Sequence, residues 1–369
     1  MIMKKLTSYC SLNMGQSPDS KTYNTNGEGM PFYQGNADFG VIHPVTRVWC
    51  SQPVKKAKKG DILISVRAPI GAMNIANEDC CIGRGLAALT PFAETSTEFL
   101  YYAVQSRVDS LIAQGTGSTF KAISKKVLEE TLLPSFSKKE QVDIIRKLGL
   151  VDSAIAERQK QLDLLKQLVK SRFIEMFIGQ GYPTKTIDEV SLVKGEYGAQ
   201  SASVEYDPSR PRYVRITDIN DDGTLNDDFV SSINPIDDEQ YRLEYGDFMF
   251  ARMGATVGKT YAFIEGNQIF AGYLIRYKLN QEIINPRYLY WYTRLDEYWN
   301  WVKLNQSGAA QPGINAKKYG SLQVPVPPME LQEQFAAFVK QTDKSKFEIQ
   351  KSLEKLEILK KSLMQKYFG

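Results

Sequence analysis

The sequence predicts an α+β chain built twice: two mostly-β globular units with a few helices, each followed by a long helix, in a pseudo-twofold internal repeat. Three observations predict it. Residues 123–177 and 314–368 align without a gap at a constant offset of 191. The end of each half carries an apolar residue at nearly every seventh position. Ahead of those ends, apolar segments are short, β-branched or aromatic, and broken by Gly, Pro, Asn and Asp.

The first unit covers 1–134. Segments such as DILISV give it strands, and 97–114 (TEFLYYAVQSRVDSLIAQ) a helical stretch. A helix over 135–178 and a linker over 179–184 follow. The second unit, 185–326, repeats the pattern with YVRITDI, DFMFAR and FAGYLIRYKL as strands and 286–304 as its helical stretch; 327–369 is the second helix.

The repeat is read from ordered anchors. Ile123 meets Ile314, Pro134 meets Pro325, Gln141 meets Gln332, Asp152 meets Asp343 and Phe177 meets Phe368. Earlier, Lys5, Ser11, Leu12 and Gly15 match Lys185, Ser191, Leu192 and Gly195 at an offset of 180, and Gly60-Asp61 matches Gly246-Asp247 at 186. The second half therefore carries about eleven extra residues, which are expected in loops.

In the first helix Leu148, Ile155, Leu162, Val169 and Met176 recur every seven residues; in the second, Phe335, Thr342, Ile349, Leu356 and Leu363 do the same. A seven-residue apolar period makes a seam that faces another helix. Each helix is roughly 60 Å long at about 1.5 Å per residue, too long for an amphipathic helix that merely covers its own domain.

Composition narrows the chemistry. The net charge of +4, from 46 basic and 42 acidic residues, permits a polyanionic partner without arguing for one. No run of roughly 18 apolar residues or signal-peptide core is present, so the expectation is a cytoplasmic protein with no membrane span. His43 is the only histidine, which removes most His-based dyads and metal sites. Cys10, Cys50, Cys80 and Cys81 form no CxxC pair and read as buried reduced thiols, the adjacent pair pointing opposite ways on a strand.

GATVGKT (254–260) has three residues between its glycines where a phosphate-binding loop needs four, and no helical run after it. No glycine-rich cofactor turn or Asn/Asp-Pro-Pro-aromatic tetrapeptide is present, so the chain is not itself a base methylase. The acidic pairs Asp221-Asp222 and Asp227-Asp228 read as solvated turns. No catalytic residue, metal site or cofactor is assigned to this chain.

What remains is a set of polar, glycine-flanked turns in equivalent places of both halves: 15–21, 33–40, 66–71 and 117–124, then 193–202, 213–219, 251–259 and 307–315. Arg, Gln, Asn and Ser/Thr on such loops pair with base edges and phosphates. The candidate nucleic-acid contacts are Gln16, Ser17, Gln34, Asn36, Arg67 and Lys121 in the first half. In the second they are Arg215, Thr217, Arg252, Lys259 and Gln311. Arg67 and Arg252 sit in equivalent segments, and the competing role for each is an ion pair with Asp61 or Asp247.

The phrases GQSPDSKTYN, PFYQGNADFG and DILISVRAPIGAMNIA, the variant GDFMFARMGATVGK, and the junctions LPSFSKKEQVDII and VPVPPMELQEQFA resemble the specificity subunits of type I restriction–modification systems along the whole chain. The resemblance implies two target-recognition domains, each reading one half of a bipartite double-stranded DNA site. It also implies two spacer helices packed as an antiparallel coiled coil that sets the half-site separation. Two modification subunits would dock on them, bringing S-adenosylmethionine for adenine methylation, and restriction subunits with ATP and Mg would join. Because the halves differ strongly in sequence, two unlike half-sites are expected. Competing readings are a coiled-coil adaptor that reads no sequence, and the recognition subunit of a related methylation-only system.

Overall fold

The computed structural model describes residues 2–117, 121–233, 239–308 and 312–369. The chain divides into two compact units, one of residues 1–160 with 350–369, the other of residues 161–349.

In the first unit a four-stranded antiparallel sheet has the spatial order Cys10–Met14, Leu86–Pro91, Ile62–Ser65, Met73–Ile75. The central strands are buried on both faces, so they read as near-continuous apolar runs. A five-stranded sheet of shorter strands packs beside it, in which Met30–Tyr33 pairs parallel with Cys80–Ile82. Cys80 and Cys81 enter different apolar clusters, as alternation along a strand requires.

The second unit repeats this topology. Its four-stranded sheet runs Ser191–Tyr197, Leu274–Leu279, Asp247–Ala251, Thr260–Ala262. Arg212–Val214 pairs parallel with Gln268–Phe270. The segment 254–260 is a short turn that leads into strand Thr260–Ala262, not into a helix.

Hydrogen bonds correct the sequence register near Gly15. Gly15 N donates to Leu86 O (2.9 Å), and the equivalent bond runs from Gly198 N to Leu274 O (3.3 Å). Gly15 therefore corresponds to Gly198, not Gly195. Two register shifts inside Ser191–Tyr197 account for two residues of the slip, and the third precedes that strand, where Lys5 pairs with Leu132 and Thr186, not Lys185, with Gln323. Some of the extra residues of the second half thus lie in a bulged strand, where the expectation placed them all in loops.

The long helices are Lys138–Phe177 and Met329–Phe368. In the first turn of each, a glutamine turns back on the chain: Gln141 Nε2 donates to Phe136 O (3.1 Å) and Gln332 Nε2 to Pro327 O (2.8 Å). Within the first unit, Ile144 and Leu148 share a core with Leu363 and Phe368, and Lys360 pairs with Asp152 at 2.7 Å. Within the second, Val169, Phe173 and Phe177 share a core with Phe335 and Val339. In each unit an early stretch of one helix meets a late stretch of the other, so the pairing there is antiparallel.

Of the seam residues, Leu148, Leu162, Val169 and Phe335 are buried. Ile155, Met176, Ile349, Leu356 and Leu363 are half-buried. Ile144 and Val151 in the first helix and Val339 and Leu353 in the second are also buried, three or four residues from the seam positions, and the seven-residue reading did not name them. Buried Thr342 bonds its hydroxyl to Phe338 O (3.0 Å), which satisfies the polar group inside the seam.

Candidate nucleic-acid interface

In the first unit three loops meet at one mouth. The turn after strand Met30–Tyr33 carries Gln34 and Asn36, and is fixed by Asp38, whose Oδ2 accepts the N–H of Gln34 (2.7 Å) and Gly35 (3.4 Å). Strand Ile62–Ser65 runs out into Arg67, held by Ser65 Oγ donating to Arg67 O (2.8 Å) and by a bridge to Ala122. Strand Cys80–Ile82 ends in Gly83-Arg84-Gly85, and Arg84 N donates to Ser17 Oγ (3.3 Å). The loops close up because of glycine: a Cβ on Gly85 would overlap Gln34 O.

The result is a cleft of about 240 Å³ on which Gln34, Asn36, Arg67 and Arg84 converge. Beside it lies a second hollow of about 300 Å³ walled by Tyr23 and Phe32, sharing Gln34 and Asn36. Gln34, Arg67 and Arg84 are exposed and Asn36 half-buried. Asp38 is already paired with Arg47 (3.3 Å). Neither Arg67 nor Arg84 makes an ion pair among the described residues. The alternative partner of Arg67, Asp61, instead accepts Lys58 N at 2.8 Å.

Gln16 is exposed and hydrogen-bonded through its backbone to Ile82 (3.0 Å), one residue before Gly83. Lys121 is exposed next to Ala122, and its carbonyl accepts Ala68 N (3.0 Å). All six first-half candidates thus sit at or beside this mouth. Arg84 was missed because it lies outside the four polar turns; its flanking Gly83 and Gly85 were the available signal.

The second unit builds the same frame with other residues. Asp218 fixes its turn through Arg215 N (2.9 Å), as Asp38 fixes the first. Arg215, in the position of Gly35, folds back onto that carboxylate (Nη2–Oδ1 2.9 Å) and donates to Phe229 O (2.7 Å). Lys259 is tied to Asp221 (2.8 Å) and Ile219 O (3.1 Å). Both cations are therefore engaged within their own domain. Thr217 is exposed on the turn. Gln311 lies outside the described residues.

Arg252 stands apart. Its guanidinium lies over Tyr197 (4.9 Å) and Tyr273 (5.7 Å), and its buried Nε has no hydrogen-bond partner among the described residues. Its competing partner, Asp247, is paired with Arg276. Strand bonding refines the equivalence of the two arginines: Ile123 N donates to Val66 O and Ile314 N to Arg252 O, each at 2.9 Å. Arg252 thus occupies the place of Val66, one residue from that of Arg67. Val66 N and Arg252 N donate to Gly85 O and Tyr273 O respectively, so Tyr273 stands where the first unit has Gly85.

Burial pushes the Cys10 and Cys80 thiols up to about 12, far from a reactive thiolate. Among the described residues no cluster of His, Cys, Asp or Glu is arranged to hold a metal, and no helix is long and apolar enough to cross a membrane.

The chain is 40% identical over 163 residues to a putative type I restriction enzyme MjaX specificity subunit of Methanocaldococcus jannaschii, a match that spans 44% of this chain and only 38% of that relative. It is 19% identical over 402 aligned positions to the type I restriction enzyme MjaIX specificity subunit of the same organism, covering 99% of this chain and 91% of that one. Among solved structures, the S subunit of a type I restriction–modification system from M. genitalium superposes with a TM-score of 0.59 at 17% identity, over 100% of this chain and 96% of the other, which shows a shared fold. Residues 2–167 and 181–360 each match the type I restriction modification DNA specificity domain, and the chain belongs to that family.

Proposed function

We propose that the chain is the DNA-reading subunit of a type I restriction–modification system, non-catalytic itself, each unit contacting one half of an asymmetric bipartite site. The observation that carries this reading is the first-unit cleft, where two guanidiniums without an ion pair among the described residues and two carboxamides converge. Those groups suit base edges and phosphates: arginine pairs bidentately with guanine, and the amides of Asn and Gln with adenine. The second unit offers Arg252 between two tyrosines on the same frame, so its preferred bases differ.

The long helices set the half-site separation and, with the units, dock two modification subunits. Those partners carry S-adenosylmethionine, and restriction subunits carry ATP and Mg. A cytoplasmic location goes with that role. The internal repeat supports the stoichiometry, since a pseudo-twofold chain offers the same docking surface twice.

The test is to reconstitute the chain with its modification subunit and map methylated adenines on random-sequence DNA. A single bipartite motif with two unlike halves is the expected result. Methylation that does not depend on which specificity chain is present would leave only a structural adaptor.

A further inference from the structure

Resting on that reading, we propose that one edge of the first unit is a phosphate-contact strip formed by Lys55, Lys56, Lys58 and Lys59. Among the described residues the second unit has no counterpart, so the two half-sites are held with unequal ionic contributions. All four lysines are exposed, and none makes an ion pair among the described residues. Lys56–Ala57 is the edge strand of the five-stranded sheet, paired with Cys80–Ile82.

The strip starts at the cleft. Ile82 N donates to Lys55 O (2.9 Å), while Ile82 O accepts Gln16 N (3.0 Å), and the chain then runs directly into Gly83-Arg84-Gly85. Asn13 Nδ2 holds the edge in place through Lys56 O (2.8 Å). At about 3.3 Å per extended residue, the cations step away from the cleft along one border. Two carboxylates touch the backbone of the strip, Asp61 accepting the N–H of Lys58 (2.8 Å) and Asp79 that of Lys59 (2.9 Å), and neither is ion-paired with a lysine side chain of the strip.

The second unit has the same backbone with the charge cancelled. Lys58 N donates to Asp61 Oδ2 (2.8 Å) and Glu244 N to Asp247 Oδ2 (3.0 Å), in turns that each hold a glycine at positive φ, Gly60 and Gly246. Glu244 thus stands where the first unit has Lys58, and it is tied to Lys278 (3.0 Å). The residue bridged to Ile269, in the place of Lys56, is Arg242, paired with Glu239 (2.8 Å). Tyr241 and Tyr245 replace Lys55 and Lys59. A charged edge also blocks edge-to-edge pairing of sheets. That role alone does not require four cations in five positions, none of them ion-paired among the described residues.

The test measures binding of the reconstituted methylase to its specific duplex across a salt series. Replacing all four lysines by glutamine keeps the edge polar. The slope of log Kobs against log salt should become shallower by about 0.9 for each phosphate that is no longer neutralised. The preferred sequence should not change, because phosphate contacts carry no base information. R242Q in the second unit should leave the slope at the wild-type value. A wild-type slope in the quadruple variant, with or without self-association at low salt, overturns the strip; an equal drop in R242Q overturns the asymmetry. If the wild-type complex prefers no duplex over random DNA, the DNA-reading role falls, a result separate from either slope.

Discussion

The ring of Phe368 lies 5.8 Å from that of Phe99. The helix that leaves the second repeat thereby ends in the core of the first unit, and Arg107 Nη2 donates to the Phe368 carbonyl at 2.6 Å. Phe177, its counterpart in the repeat, packs 4.9 Å from Tyr288 in the second unit. Each globular core is thus completed by a residue from a long helix.

Phe368→Ala should therefore destabilise the first unit by about 3–5 kcal/mol, the usual cost of emptying a buried phenylalanine site. Urea unfolding followed by fluorescence checks it. A loss below about 1 kcal/mol would mean the helix end is not part of the core.

In the first unit, Arg67→Ala and Arg84→Ala should each weaken specific binding by about 1–3 kcal/mol and relax sequence preference in one half-site only. Methylation mapping with each variant reads this directly. Equal weakening on specific and random duplexes would reassign the residue to phosphate binding.

Arg252 and Arg215 should separate cleanly. Arg252→Lys keeps the charge but loses planar stacking on Tyr197 and Tyr273, so specific binding should fall about as far as with Arg252→Ala. Arg215→Ala leaves the buried Asp218 carboxylate short of its partner and should cost stability, about 1–3 kcal/mol, before it alters base preference. Thermal melts alongside binding data distinguish them; a changed motif with unchanged stability in Arg215→Ala would place that guanidinium on DNA.

The four cysteines should resist a thiol reagent at about pH 8 in the folded chain, a pH below the usual thiol range. All are buried, and burial raises the Cys10 and Cys80 thiols to about 12, so thiolate is scarce there. Full labelling is expected only in denaturant. Rapid labelling of any one without denaturant would show that its cluster opens readily.

Sequence reading located the helices because local pattern suffices there: a seven-residue period names a seam, and Gln141 and Gln332 recur because each satisfies a carbonyl at its own helix start. It grouped Gln34, Asn36 and Arg67 because glycine-flanked polar turns are marked in one dimension. It did not separate Arg252 from Arg215 and Lys259, since a guanidinium beside tyrosines and one folded onto Asp218 look alike until the partners are placed.

The chain alone determined the twofold repeat, the strand-rich units and the helical seams, all of which follow from short-range periodicity. Tertiary structure decided the strand order, the Gly15–Gly198 register and which cations remain unpaired. Those depend on hydrogen bonds and charge pairing between residues far apart in sequence, where a bulge of one or two residues shifts every partner that follows.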